Sequence, residues 1–381
     1  MNRFSKSVIA TSIAMCTATA WGADKTPTLG DVLQASGITF SGYIDTSYSY
    51  LTGNGLFTSG TANRVYDAQH NGFDLHTIDL SASDLPASGF GGMAQLDYGT
   101  DATVDSSAGL PGAVAGSGNT EVDVQQAYLQ YAAGPLTVMA GKFATLAGEE
   151  VISSPLDYNF TRGILFGYAI PATHTGVRAN YAINSNYKLI VGVNNGWNVV
   201  TPTATTGYGK TLELGFQATP IKPLSLTADV YSGDAGGFTS GTAAPSGVVG
   251  RRDLLDLVAS YTVTDALTLA AEGDEGQQQN AMAVGSSAKW DGVGGWANYA
   301  INSRWRVAGR LEYFNDKNGF TTGIPQKWKE GTLTLAYMPT AQVELRGEVR
   351  YDKSNKPVFE MVNGTSKNSQ SSVGVEALYK F

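Results

Sequence analysis

The sequence has one cysteine, Cys16, three histidines, and no uncharged apolar run that approaches the length of a membrane-spanning helix. Each scarcity excludes something. Cys16 lies in an N-terminal segment expected to be removed, so the mature chain has no disulfide and no thiolate metal ligand. A lipoprotein reading of Cys16 fails on Met15, which stands where a small residue is required. A helical membrane protein needs stretches of ~18–20 apolar residues, and none is present. Positive charge is also short, with 25 Lys+Arg against 33 Asp+Glu. Nucleic-acid binding, which needs a basic surface, is therefore not expected.

The N-terminus reads as an export signal. Asn2, Arg3 and Lys6 make a basic start, Val8 to Ala20 is apolar or small, and Ala18, Ala20, Gly22 and Ala23 offer a cleavage site. A signal peptide is expected over 1–22, cut after Ala20 or Gly22. Its loss removes two basic residues and leaves the mature chain, 23–381, still more acidic.

Glycine is abundant, at 46 of 381 residues, tyrosine (19) exceeds phenylalanine (14), and mean hydropathy is −0.11. Near-neutral hydropathy with many aromatics fits a membrane barrel, whose strands average a lipid face and a water face. The periodicity agrees. From Val343 to Asp352, the residues Val343, Leu345, Gly347, Val349 and Tyr351 share one face, and Glu344, Arg346, Glu348, Arg350 and Asp352 share the other. Strict alternation of this kind marks a strand with one apolar and one charged face. It recurs at 305–313, 332–337, 212–217 and 224–230. The segments run ~10 residues, enough to cross the hydrocarbon at a tilt.

Connections alternate short and long. Short ones fall near Pro86, Gly134-Pro135, Ser185-Asn186, Ile221-Lys222, Thr264-Asp265, Asn302-Ser303 and Thr340-Ala341. Long ones, rich in Gly, Ser, Thr, Asn and Asp, fall near 52–71, 100–120, 143–172, 196–209, 233–250, 278–287, 316–328 and 354–369. Two turns share a form: Tyr181-Ala-Ile-Asn-Ser leads into Tyr187, and Tyr299-Ala-Ile-Asn-Ser leads into Trp305. The expected fold is all-β: a transmembrane antiparallel up-and-down barrel of about 16 strands over 38–381, with 23–37 as a periplasmic lead-in. Leu29 to Ala35 is a candidate short helix. The chain ends on an amphipathic strand closing with Phe381, the form of an address read by outer-membrane assembly machinery.

Further segments carry a resemblance. These are Ala35 to Tyr48, Gln125-Gln-Ala-Tyr-Leu-Gln-Tyr, Gly141 to Glu150, Ser154-Pro, Phe160-Thr-Arg, and Ile170-Pro-Ala-Thr-His-Thr-Gly-Val-Arg. They resemble the OmpL-like beta-barrel porin family of Gram-negative bacteria, most closely over 125–181. The resemblance implies a cell outer membrane location and a porin, and supplies no catalytic residue. The function it implies is passive diffusion of small hydrophilic solutes through a polar lumen. The alternatives are a selective channel for a sugar, nucleoside or organic acid, and a plugged structural or adhesive barrel. Expected partners are outer-membrane lipid, lipopolysaccharide and the solutes. Homotrimers are common among barrels of this size, though the sequence does not fix the oligomer.

The longest connection, 143–172, is expected to fold into the barrel and narrow it, bringing Glu149, Glu150, Asp157 and Arg162 to the opening. Arg178, Arg306, Arg310, Arg346 and Arg350 are expected to face the lumen, since arginine facing lipid costs ~2–4 kcal/mol at the midplane. Two arrangements follow: an acidic loop opposite a basic wall, or cross-strand pairing such as Arg306–Glu312 and Arg346 with Glu344 or Glu348. No enzyme, cofactor or metal is expected. Adjacent Glu149 and Glu150 point apart on an extended chain, His70, His76 and His174 lack ligand spacing, and no Gly-x-Ser-x-Gly motif occurs. Asp101, Asp105, Glu121, Asp123 and Asp234 read as solvated loop charge rather than a cation site.

Overall fold

Alternating residues force alternating faces, and sixteen such segments pair in sequence order until the last meets the first. In the computed structural model, residues 26, 28–57, 64–68, 70–107, 122–202, 209–234, 250–283 and 286–381 are described; the expected signal peptide lies outside them. The strands are β1 (Thr39–Leu51), β2 (Gly72–Asp84), β3 (Gly89–Tyr98), β4 (Val122–Ala133), β5 (Leu136–Ala144), β6 (Thr173–Ala182), β7 (Tyr187–Asn194) and β8 (Thr211–Ile221). They continue as β9 (Leu224–Asp234), β10 (Arg251–Thr264), β11 (Leu267–Ala283), β12 (Ser286–Ala300), β13 (Trp305–Asp316), β14 (Gln326–Tyr337), β15 (Val343–Ser354) and β16 (Ser369–Lys380). Together they form one closed antiparallel barrel. Closure leaves no unpaired edge, which a bilayer requires.

The seam joins β1 to β16, from Tyr43↔Lys380 to Leu51↔Ser372. Gly42 and Phe381 extend it by exchanging two backbone hydrogen bonds of 3.0 Å. A Cβ at Gly42 would lie 2.2 Å from the Asp79 carbonyl oxygen and 2.7 Å from the Phe381 ring. The glycine makes room for the terminal aromatic.

Outward positions are apolar and exposed, among them Leu311 (71%), Leu333, Val349 and Val373. Their inward neighbours Arg310, Glu312, Thr332, Glu348 and Arg350 are buried. Seven turns of two to five residues connect strands at one end. The repeated Ala-Ile-Asn-Ser form has a local cause. Asn184 Oδ1 accepts N–H bonds from Asn186 and Tyr187, and Asn302 Oδ1 accepts them from Arg304 and Trp305. Thr264 and Thr340 do the same at their turns through Oγ1. Side chains that bond the backbone two and three residues on are self-contained turn formers. Aromatics flank this end, with Trp305–Tyr337 ring centroids at 4.5 Å and Phe90–Tyr131 at 4.8 Å, as in an interfacial girdle.

One expectation is corrected at the other end. The connection near 278–287 is not a long loop: β11 and β12 run on through Ala283 and Ser286, and only 284–285 lie between them. The polar Gln-Gln-Gln-Asn run lies within β11, and the pairing with β12 shifts register between Gln278 and Ala283 before resuming at Ala283↔Ser286. The connection near 354–369 contains short strands, Phe359–Met361 and Ser366–Lys367, which form a three-stranded sheet with Gly53–Phe57. Among the described residues no helix is long and apolar enough to cross a membrane.

Residues up to Ile38 form a separate unit. Within it Leu29–Ser36 is helical, one residue longer than expected. Its last turn is closed by a Ser36 Oγ bond to the Leu33 carbonyl and by Gly37 at φ +76°.

Candidate pore constriction

The connection after β5, residues 145–172, lies inside the barrel. Its contour is broken by a 3-10 turn at Ser154–Leu156 and a short helix at Ile164–Tyr168. Two kinds of contact hold it. The first is apolar: Ile164, Leu165, Phe166, Ala169 and Ile170 bury against inward aromatics of β12–β14, including Trp290, Trp296, Phe314 and Trp328. The second is a network of charge-assisted bonds between the buried loop backbone and wall side chains. Glu348 accepts the Phe160 and Thr161 N–H groups at 2.7 and 3.1 Å, and Glu312 accepts those of Ile164 and Leu165 at 2.6 and 3.2 Å. In return Arg346 donates to the Ser154, Asp157 and Asn159 carbonyl oxygens, and Arg350 to that of Arg162 at 2.6 Å. A buried loop has no water to satisfy its backbone, and here the wall supplies the partners.

Arg310 and Glu150 form the centre of this network. The Arg310 guanidinium contacts the Glu150 carboxylate, donates to the Thr161 carbonyl at 2.5 Å, and lies 2.9 Å from Glu330. Glu150 also accepts the Gly163 N–H at 2.5 Å. Asp157 and Arg162 pair at 3.2 Å within the loop. Arg162 also reaches the Ile152 carbonyl, while its own N–H bonds Asp67 at 2.8 Å.

The structure therefore brings Glu150, Asp157, Arg162, Arg310, Arg346 and Arg350 into one buried assembly. The loop does not face a basic wall across a gap; it rests on that wall, and the charges of Glu150, Asp157 and Arg162 are spent on pairing. Arg306 pairs with Glu344 rather than Glu312. Residues 306 and 312 lie about 20 Å apart along one strand at ~3.3 Å per residue. Arg306 instead reaches Glu344 over the small inward Ala336 of β14, its direct partner in register. Arg178 lies elsewhere, on β6, held by Glu213 at 2.7 Å and stacked on Phe143.

Glu149 sits at the loop's water-facing edge with Tyr158 and Leu156, the last 72% exposed. The part-exposed Arg306 guanidinium lies 5.5 Å over the Tyr158 ring. Partial burial, then Asp157 and Glu150, push the Glu149 carboxyl up to about 7. Burial likewise pushes Asp157 up to about 7, against the opposing pull of Arg162. Away from the loop's anchorage, the inward residues Gln130, Thr137, Met139, Asn180, Gln217 and Thr227 of β4–β9 keep partial water access.

Of the neutralising partners, Glu312 and Glu348 are expected from sequence to pair, though with other arginines, and Asp352 is expected only to face inward; Glu330 is not singled out. Arg64, which pairs with Asp352 at 2.6 Å, and Asp67 belong to another connection and carry no local signal. The acids read as loop charge are partnered: Asp101 with His76 (3.1 Å), Asp105 with the Tyr66 hydroxyl (2.5 Å), and Asp123 with Lys142 (3.0 Å). Glu121 and the Asp234 side chain lie outside the described residues. His70 bonds the Leu51 carbonyl, and His174 stacks on Tyr231 at 4.6 Å.

A closed sixteen-strand barrel, apolar outside and charged within, with the connection after its fifth strand folded inward, is an outer-membrane channel. The chain belongs to the family described as "Putative beta-barrel porin-2, OmpL-like", whose model matches residues 37–381. No curated protein matches it by sequence. Among solved structures it is similar to an anion-selective porin from Comamonas acidovorans, at 13% identity and TM-score 0.63, covering 90% of this chain and 99% of that one. It is also similar to the outer membrane channel DcaP of Acinetobacter baumannii, at 15% and 0.61 over 90% and 97%. A trimer form of OmpT from Vibrio cholerae gives 13% and 0.61 over 90% and 99%. At these identities the likeness shows the fold.

Proposed function

We propose that the barrel passes small hydrophilic solutes by diffusion, through a lumen narrowed by loop 145–172. The observation that carries this reading is the loop's uneven anchorage. Its apolar packing and most of its bonds are to β12–β15, with further bonds to Tyr231, Asp256 and Glu272 of β9–β11, while inward polar side chains such as Gln130, Asn180 and Gln217 of β4–β8 retain water access. A passage along the β4–β8 wall would meet Glu149, Leu156 and Tyr158 on the loop and Arg306 beside them. The reading includes no catalysis, and a homotrimer, as in the trimeric OmpT form, is the assembly proposed. Lipid, lipopolysaccharide and the assembly machinery are the partners proposed for its outer face and C-terminal strand.

A second reading is a closed barrel with a structural or adhesive role. The burial of nearly every inward charge on β13–β15 favours it. Single-channel recording in a planar bilayer separates the two. The open reading expects discrete conductance steps that grow several-fold when residues 149–162 are replaced by a short glycine-serine linker. Absence of steps from folded, inserted protein, with steps only after the replacement, gives the closed barrel.

A further inference from the structure

The wall from β9 to β11 carries a second charged assembly, which among the described residues is made of carboxylates without a paired lysine or arginine. Asp229 stands directly opposite Asp256, and Asp256 directly opposite Asp274, across three neighbouring strands. Glu272 is the next inward position on β11. One carboxylate oxygen from each of Asp256, Glu272 and Asp274 lies within 4.8 Å of the others, and all three residues are buried. Asp229 is 1% exposed. Neither of its oxygens has a hydrogen-bond donor, and the same holds for both oxygens of Asp274 and one each of Asp256 and Glu272.

Elsewhere in the lumen the comparable acids Glu150, Glu213 and Asp352 each meet a guanidinium. Here, among the described residues, no lysine or arginine pairs with any of the four. The stretches of 39–381 outside the described residues contain no Lys, Arg or His that could do so. The loop contributes two amide donors: Gly148 N–H to Asp256 at 3.1 Å and Glu149 N–H to Glu272 at 2.7 Å. Two amides do not compensate several buried carboxylates.

We propose that Asp256, Glu272 and Asp274, with Asp229 beside them, bind a calcium ion. The donor set is all carboxylate oxygen, which suits a hard cation and not one that prefers nitrogen or sulfur. Hydration decides between the hard cations. Magnesium dehydrates reluctantly and keeps several waters, whereas calcium takes about six to eight oxygen ligands in flexible geometry and is readily held by clustered protein carboxylates. The three oxygens lie within 4.8 Å of one another, close enough to share one such ion. The ion would tie the β9–β11 wall to the loop at Gly148–Glu149, a second anchorage away from Arg310.

The test uses full mature protein refolded from inclusion bodies, free of lipopolysaccharide and its bound cations. The chain is loaded with calcium chloride and desalted, then metal content and unfolding temperature are measured with and without EDTA. The expected result is about one calcium per chain and an unfolding temperature several degrees lower in EDTA. The D256N/D274N variant should lose the calcium and the EDTA response while migrating as a folded barrel on unheated gels. D234N, at the strand end, should keep both. Substoichiometric calcium in the wild type with no EDTA effect would overturn the proposal and leave the carboxylates sharing protons. Retention of calcium by D256N/D274N would overturn it equally. Neither result depends on whether the barrel conducts.

Discussion

Arg310 of β13 and Glu150 of the inward loop are 160 residues apart in sequence and in direct contact. Both are buried, and each holds further partners: Arg310 meets Glu330 and the Thr161 carbonyl, and Glu150 accepts the Gly163 N–H. Removing one partner strands the other charge in a site that water does not reach.

Arg310→Leu should therefore destabilise the loop's anchorage by about 3–5 kcal/mol, the cost of breaking a buried pair from one side. Arg310→Leu with Glu150→Leu should recover part of that loss. Thermal unfolding in detergent and the variance of open-channel current report the two effects. Equal losses in the single and double variants would show that the pair does not act as a unit.

The pH dependence has a defined sign. Glu149 and Asp157 both hold their protons up to about 7, above the ordinary carboxylate value. Between pH ~4 and 7 the folded form binds more protons than the unfolded chain, so stability is greatest at the acid end and declines as pH rises. Negative charge at the loop edge appears over the same window. Cation selectivity, read from reversal potential, should rise between pH 5 and 8, and Glu149→Gln should remove much of that rise.

Gly42 and Phe381 share the barrel seam. Gly42→Val should displace the Phe381 ring and the Asp79 carbonyl, because even a Cβ has no space there. The yield of heat-modifiable barrel should fall several-fold in cells, and Phe381→Ala should give a similar defect. Normal assembly of Gly42→Val would show that the ring can leave the seam without consequence.

Leu311 tests the membrane face. It is exposed on the outside of β13, so Leu311→Arg should cost about 2–4 kcal/mol if the position sits near the bilayer midplane. Denaturant unfolding in lipid vesicles measures it. The inward neighbour Arg310 belongs to the loop network, so the two adjacent positions should fail in different ways.

Sequence alone determined the barrel. Period-two alternation is a local property, and a strand with charges on one face and leucines on the other leaves a membrane protein one sensible arrangement. The turns were equally legible, because Asn184, Asn302, Thr264 and Thr340 build them from bonds within a few residues. The inward direction of Arg306, Arg310, Arg346 and Arg350 followed from the same alternation. The pairing of Arg346 with Glu344 was legible too, and tertiary structure decided what the other arginines meet. Glu150 reaches Arg310, Arg64 reaches Asp352, and Arg306 reaches Glu344 because barrel closure and loop insertion bring distant segments together. The row of Asp229, Asp256 and Asp274 is the same kind of fact. Each residue is an unremarked inward acid on its own strand, and only the register of three strands sets them side by side, with no lysine or arginine paired to them among the described residues.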